Sequence, residues 1–271
     1  MPLARTLPLA GLVLALFHTS LATAACAQAD AIVQHAYSGV KHGPRGGYLV
    51  GQYSISVPGD KVGQVHDMRC KVWPERPEMT LALVPLMASD SDDGNQGDLD
   101  LLLLDSQSLR PLQRIRLHGY MNDDAVRITD LKFDTARYQL APDKPAFGVR
   151  KTLEGSSRPN PFEEVDLSLY TVVDGGLRAV LDGLVVSSGS GEWDTECVGS
   201  FTTHDAVLAM RKSQTHGLAD IGITGTDETY ERRLDDHREC VDDSRVTTPL
   251  KALLRFDGSQ YVVPQSLAPL E

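Results

Sequence analysis

The stretch Leu167–Val180, LSLYTVVDGGLRAV, places two apolar runs on either side of Asp174-Gly175-Gly176. Alternating apolar and β-branched residues stopped by an Asp-Gly pair and then resumed read as a strand, a turn and a second strand. Asp174 heads the turn, where its side chain can bond the backbone two residues on. The same plan recurs at Leu101–Leu112 (LLLLDSQSLRPL), headed by Asp105, and at Leu253–Val263 (LLRFDGSQYVV), headed by Asp257.

Outward from this hairpin the chain keeps the same grammar. Tyr48–Val57 alternates up to Pro58-Gly59-Asp60, and further short runs cover Met79–Met87, Leu99–Asp105, Leu112–Leu117, Val126–Phe133, Ala146–Thr152, Leu177–Val186, Ala219–Thr224 and Leu250–Phe256. Fifteen prolines and 23 glycines, mostly between these runs, act as punctuation. No long window carries a helical period; Thr203–Lys212 suits a helix or a strand equally. The fold class is therefore all-β, with a β-sandwich or an irregular propeller-like stack of antiparallel hairpins both open. Residues 28–271 are expected to form one domain, with two sub-domains meeting near 118–126 as a variant of that plan.

At the N-terminus, Arg5 precedes the apolar run Leu7–Phe17 and the small-residue stretch Leu21–Ala29, the order of a secretory signal. The expected signal segment is 1–27. About eleven apolar residues fall short of the roughly 20 that span a bilayer, so no transmembrane segment is expected. A periplasmic or secreted protein follows, with lipid anchoring through Cys26 as the alternative processing. In an oxidising compartment the cysteines read as bridged, and Cys197 pairs with Cys240 to hold down the polar segment between them. Cys70 is then free and buried or bonded to a retained Cys26. With 26 basic against 37 acidic residues the formal charge is −11, so nucleic acid is not expected as a partner.

Two stretches hold candidate binding chemistry. Ser187–Cys197, SSGSGEWDTEC, reads either as a turn at Gly189–Gly191 with Trp193 covering a core edge, or as a recognition loop using Ser190, Glu192 and Trp193. Gly189-Ser190-Gly191 is too tight for a Gly-x-Ser-x-Gly nucleophile elbow. The acidic stretch Asp90–Asp100 offers Asp90, Asp92, Asp93, Asp98 and Asp100 around Gly94 and Gly97, a composition suited to calcium or to a solvated acidic hairpin loop. Its Asp93-Gly94 and Asp98-Leu99 resemble the calcium loops of FG-GAP propeller repeats, with Ser89 and Ser91 in places that are acidic there. His204-Asp205 could join a distributed Ser-His-Asp group. Glu163-Glu164 and Asp235-Asp236 are sequence neighbours, which point to opposite faces of a strand and form no dyad by themselves.

Val126–Arg150, SGEWDTEC and Leu254–Pro264 resemble stretches of exported proteobacterial β-rich proteins, and Ser188-Gly189 or Ser190-Gly191 is loosely similar to the Ser-Gly loop of periplasmic lysozyme inhibitors. That resemblance implies a non-enzymatic envelope protein that binds a protein or an envelope ligand, in its sharpest form an inhibitor or immunity protein against a wall hydrolase. A secreted hydrolase with a distributed carboxylate or Ser-His-Asp site, and a calcium-stabilised structural module, are the alternatives.

Overall fold

Leu99–Asp105, LDLLLLD, lacks the polar alternation of a half-exposed strand because it is buried on both faces. The computed structural model describes residues 25–44, 46–58, 65–91 and 93–269, so most of the expected signal segment lies outside the described residues. LDLLLLD forms the end of β6 (Gly94–Asp105), which pairs with β5 (Arg76–Ser91) and β7 (Pro111–Leu117). The short strands β1 (Lys41–His42), β2 (Tyr48–Val50), β3 (Tyr53–Ile55) and β4 (Arg69–Trp73) complete a seven-stranded antiparallel sheet, with β3 and β4 both on β5. The expected single strand Tyr48–Val57 is split where Gly51 takes a positive φ of 59°.

The second sheet is a seven-stranded meander of β8 (Val126–Ala141), β9 (Lys144–Gly155), β10 (Phe162–Val173), β11 (Gly176–Trp193), β12 (Gly199–Thr215), β13 (Leu218–Leu234) and β14 (Cys240–Leu254), each paired with the next. The β10–β11 turn has φ of 51° at Asp174 and 76° at Gly175, the primed geometry that matches strand twist. Asp174 thus supplies a left-handed backbone position, whereas Asp105 and Asp257 accept backbone N–H bonds as the sequence reading expected for all three. Thr203–Lys212 is strand, within β12. The architecture is the sandwich; the two sheets form no closed ring of blades.

Three apolar clusters hold these layers. Between the sheets, Leu81, Leu83, Leu99, Leu101 and Leu103 meet Phe147, Val149 and Tyr170. On the outer face of the first sheet, Ala82, Val84, Leu102 and Leu104 pack on Ile32 and Val33 of the helix α1 (Ala29–Ala36). The second sheet curls, so Tyr138 and Leu140 of β8 share a core with Ile221 and Ile223 of β13 and Leu254 of β14. Each fully buried leucine contributes about 1.5–3 kcal/mol. The crossover between sheets falls at 118–125, at the expected sub-domain boundary, yet the inter-sheet core joins both sides of it.

Two disulfides fit an oxidising compartment. Cys197–Cys240 is formed as expected, and Cys26 is bonded to Cys70. Cys26 lies in a short turn of 3₁₀ helix, Ala25–Gln28, leading into α1. This bond corrects the alternative of a free Cys70, and it needs the sulfur that cleavage after residue 27 would discard or lipidation would consume. Among the described residues no helix is long and apolar enough to cross a membrane.

Candidate functional site

The acidic stretch is the β5–β6 hairpin, with Asp98 and Asp100 in the paired strand rather than at its turn. Asp98 and Asp100 lie on β6, two residues apart on the face that carries Leu102 and Leu104. Asp100 is fully buried and accepts two bonds from Arg116, at 2.7 and 2.9 Å, and one from Tyr37 Oη at 2.8 Å. Burial and the Asp100 carboxylate push the Tyr37 hydroxyl far above its ordinary range. Asp98 accepts Gly119 N–H at 2.9 Å and Tyr53 Oη at 2.9 Å and meets His118 Nδ1 at 3.1 Å. Burial raises its carboxyl, but these donors outweigh burial and hold it low. These two of the five carboxylates expected to ligate calcium are therefore engaged by protein donors. Asp93 sits exposed beside the hairpin turn, Asp92 lies outside the described residues, and the Asp90 side chain is likewise not described. Among the described residues no three His, Cys, Asp or Glu side chains are grouped to hold a metal.

SSGSGEW is also strand, not a turn. Ser190 of β11 faces Phe162 of β10 on one side and Thr202 of β12 on the other, so the Ser-Gly pairs are interior to a sheet and make no protruding loop. The glycines make room for rings. A Cβ on Gly191 would meet the Phe201 ring at 2.5 Å, and one on Gly199 would meet the Trp193 Cβ at 2.3 Å. Trp193 donates its indole N–H to Arg158 O at 2.7 Å. A row of Trp193, Phe201 and Tyr230 follows, with Phe201 and Tyr230 stacked at 5.1 Å and Arg245 4.5 Å above the Tyr230 ring. Ser190, Phe201 and Tyr230 border a groove of about 380 Å³ beside the 156–161 loop, while Glu192 is exposed on the same strand.

The true turn follows, at Asp194, whose Oδ1 accepts the N–H groups of Glu196, Cys197 and Val198. Those bonds hold its carboxyl below the usual range. Asp235 does the same for His237 and Glu239 at the β13–β14 turn, and the Cys197–Cys240 bond staples the two turns together.

His204 bonds Asp227 at 2.6 Å, not Asp205, which instead accepts Ser187 Oγ at 3.2 Å. Strand register sets Ser188 directly opposite His204 and Asp227 on its far side. The His204 Nε2 is buried without a hydrogen-bond partner, so the base-to-nucleophile bond of a triad is not made among the described residues.

The strongest gathering of buried polar groups was not singled out by the sequence reading. Glu164 and Asp166 are two apart on β10, on one face, and each is 4% exposed. Lys151 of β9, opposite Asp166, places its ammonium 3.7 Å from the Asp166 carboxylate and 4.9 Å from the Tyr120 ring centre. Burial raises the Asp166 carboxyl, with Lys151 pulling it down and Asp182 adding to the rise. The only local signal was Glu-Val-Asp at the head of an apolar strand, two acids with strand spacing where polar residues are least expected.

Glu164 and Lys151 open onto a cleft of about 720 Å³ where the end of β6 and the 122–124 loop face β9 and β10. Asn95 lines it from the other side, 4% exposed. Its N–H and its amide Nδ2 both donate to Asp123 Oδ1, at 3.1 and 2.8 Å, which locks the amide. Asp123 in turn is held by Ile128 N–H and lies 3.5 Å from Arg127. No group among the described residues donates to the buried Asn95 Oδ1. Phe162 and Leu153 supply apolar wall.

No protein-family model matches the chain, and no curated protein or solved structure matches it.

Proposed function

We propose that this chain is an exported, non-enzymatic binding protein whose ligand, a small polar component of the cell envelope, seats in the cleft between the two sheets. The observation that carries this reading is the cleft itself, about 720 Å³ between the sheets, lined by Asn95, Asn122, Asp123, Lys151 and Glu164 with Phe162 and Leu153 as apolar wall. Export is supported by the signal-like N-terminus and the two disulfides, with processing that keeps Cys26. The test is calorimetry of the oxidised protein against soluble wall-derived oligosaccharides and peptides, beside Asn95→Ala. Saturable heat that the variant loses supports the reading; equal heats in both proteins would place any ligand elsewhere.

A second reading, recognition of a protein such as a wall hydrolase, is favoured by the β12–β14 part of the second sheet. Of the nine exposed large apolar residues described, Val198, Val207, Leu234, Val246 and Leu253 lie on β12–β14 or the loop entering them. Inhibition of a purified muramidase by the wild type but not by Trp193→Ala, Val246→Asp would support it, and no inhibition would remove its sharpest form.

A further inference from the structure

Away from the cleft, we infer a second binding site, for a phosphate group that carries an apolar arm, in the groove between the end of α1 and the start of β7. The groove measures about 520 Å³ and is lined by His35 and Ala36 of α1 and by residues 110–114. No carboxylate stands among these residues. In a chain with 37 acidic residues against 26 basic ones, two arginines and a histidine lining one groove reverse the surface charge locally. The chain as a whole repels a phosphate, so such a site works through short-range contacts rather than the long-range field.

Arg114 is pinned without being used up. Its Nη2 donates to Ala36 O and its guanidinium lies 4.7 Å over the Tyr37 ring, while the side chain keeps 35% exposure. A guanidinium has five N–H donors, so donors remain for a ligand. The nearest acid is Asp100, 3.9 Å from Arg114 Nε, a buried carboxylate that already takes two bonds from Arg116. One negative charge thus answers two guanidiniums, and positive charge is left on the groove side. Arg110 adds an exposed guanidinium that has no side-chain partner among the described residues. The neighbouring Asp105 carboxylate is spent on Ser108, from which it accepts N–H and Oγ–H bonds, both at 2.7 Å. The exposed His35, in the last turn of α1, brings a third donor from the other wall. Leu112, 48% exposed and two residues before Arg114 on the same face of β7, supplies the apolar contact. A phosphate has three terminal oxygens for donors arriving from two elements, and arginine meets it with paired bonds. A neutral sugar would leave the guanidiniums unanswered.

Hexyl phosphate, inorganic phosphate and heptanoate test the two halves of this ligand by calorimetry on the oxidised full chain. Hexyl phosphate is expected to bind roughly tenfold more tightly than inorganic phosphate, the equivalent of about two methylenes leaving water. Arg110→Gln should weaken it by about tenfold, and Leu112→Ser should erase its advantage over inorganic phosphate. Arg178→Gln, the same charge change at an exposed arginine on β11, should bind as the wild type does, and so should the cleft variant Asn95→Ala. Sedimentation with phosphatidylcholine vesicles that contain phosphatidic acid, lost in Arg110→Gln, would make a lipid the source of the phosphate. Binding of hexyl phosphate without sedimentation would make the source a soluble phosphate. Equal or tighter binding of heptanoate overturns the phosphate. No binding of hexyl phosphate, or binding that both groove variants leave unchanged, overturns the site.

Discussion

Replacing Asp100 by Asn keeps the shape of a fully buried side chain and removes its charge, leaving Arg116 and Tyr37 facing an amide. Breaking a buried ion pair by changing one partner costs about 3–5 kcal/mol. The Arg116 side chain retains 32% exposure, so water recovers part of its lost solvation and the expected loss is about 3 kcal/mol. For a chain of this length that corresponds to a fall in Tm of roughly 6–12 °C. Urea unfolding with both disulfides intact, in EDTA and again with calcium, measures it. The loss should be the same in both buffers, because Asp100 is engaged by protein donors. A cycle with Arg116→Met should show coupling, the double variant losing less than the sum of the singles. A loss below about 1 kcal/mol, the value of an exposed pair, would refute the reasoning, and a loss seen only in calcium would restore Asp100 as a metal ligand.

Other outcomes follow from particular contacts. Reducing Cys197–Cys240, or changing both to Ser, opens a cross-link 43 residues apart and removes roughly 4 kcal/mol in the chain-entropy description; amide exchange should rise first in 226–250, and uniform protection would contradict the stapling role. Gly191→Ala should destabilise by forcing the Phe201 ring aside, whereas Gly189→Ala, with nothing within 4 Å of its added carbon, should leave Tm nearly unchanged; equal effects would mean that ring packing does not explain the glycines. The mature protein, analysed by intact mass before and after reduction, should begin at or before Cys26 and contain two disulfides; a chain starting at Ala27 or later would exclude the Cys26–Cys70 bond. Because burial raises the Asp166 carboxyl, the folded chain holds that proton more tightly than the unfolded one, and its contribution to stability falls as pH rises from the ordinary range near 4 through the folded value. Asp166→Asn should therefore gain stability relative to wild type between pH 4 and 7, and a constant difference would show that the carboxyl is not perturbed.

Much of the fold was legible because strands and turns are local. Alternation and Asp-Gly punctuation located the β10–β11 hairpin, and the acidic content of the segment between Cys197 and Cys240 argued for their bond. What misled was composition where pairing decides: SSGSG reads as a turn until it is seen paired on both sides in the sheet, with the Phe201 ring occupying the space that Gly191 leaves. Asp98 and Asp100 read as loop ligands until Arg116 and Tyr53 are found beside them.

By itself the sequence determined an all-β chain and one cross-link, since these rest on residues adjacent in the chain or on cysteine chemistry. Only the tertiary structure decided that Cys26 bonds Cys70, that the strands divide into two facing sheets, and that Asn95 confronts Glu164 across a cleft. Those residues are 69 positions apart, and a strand's period of two says that a side chain is on one face without saying what the other sheet brings opposite it. That meeting follows from how the inter-sheet leucines and aromatics pack, a property of the whole core.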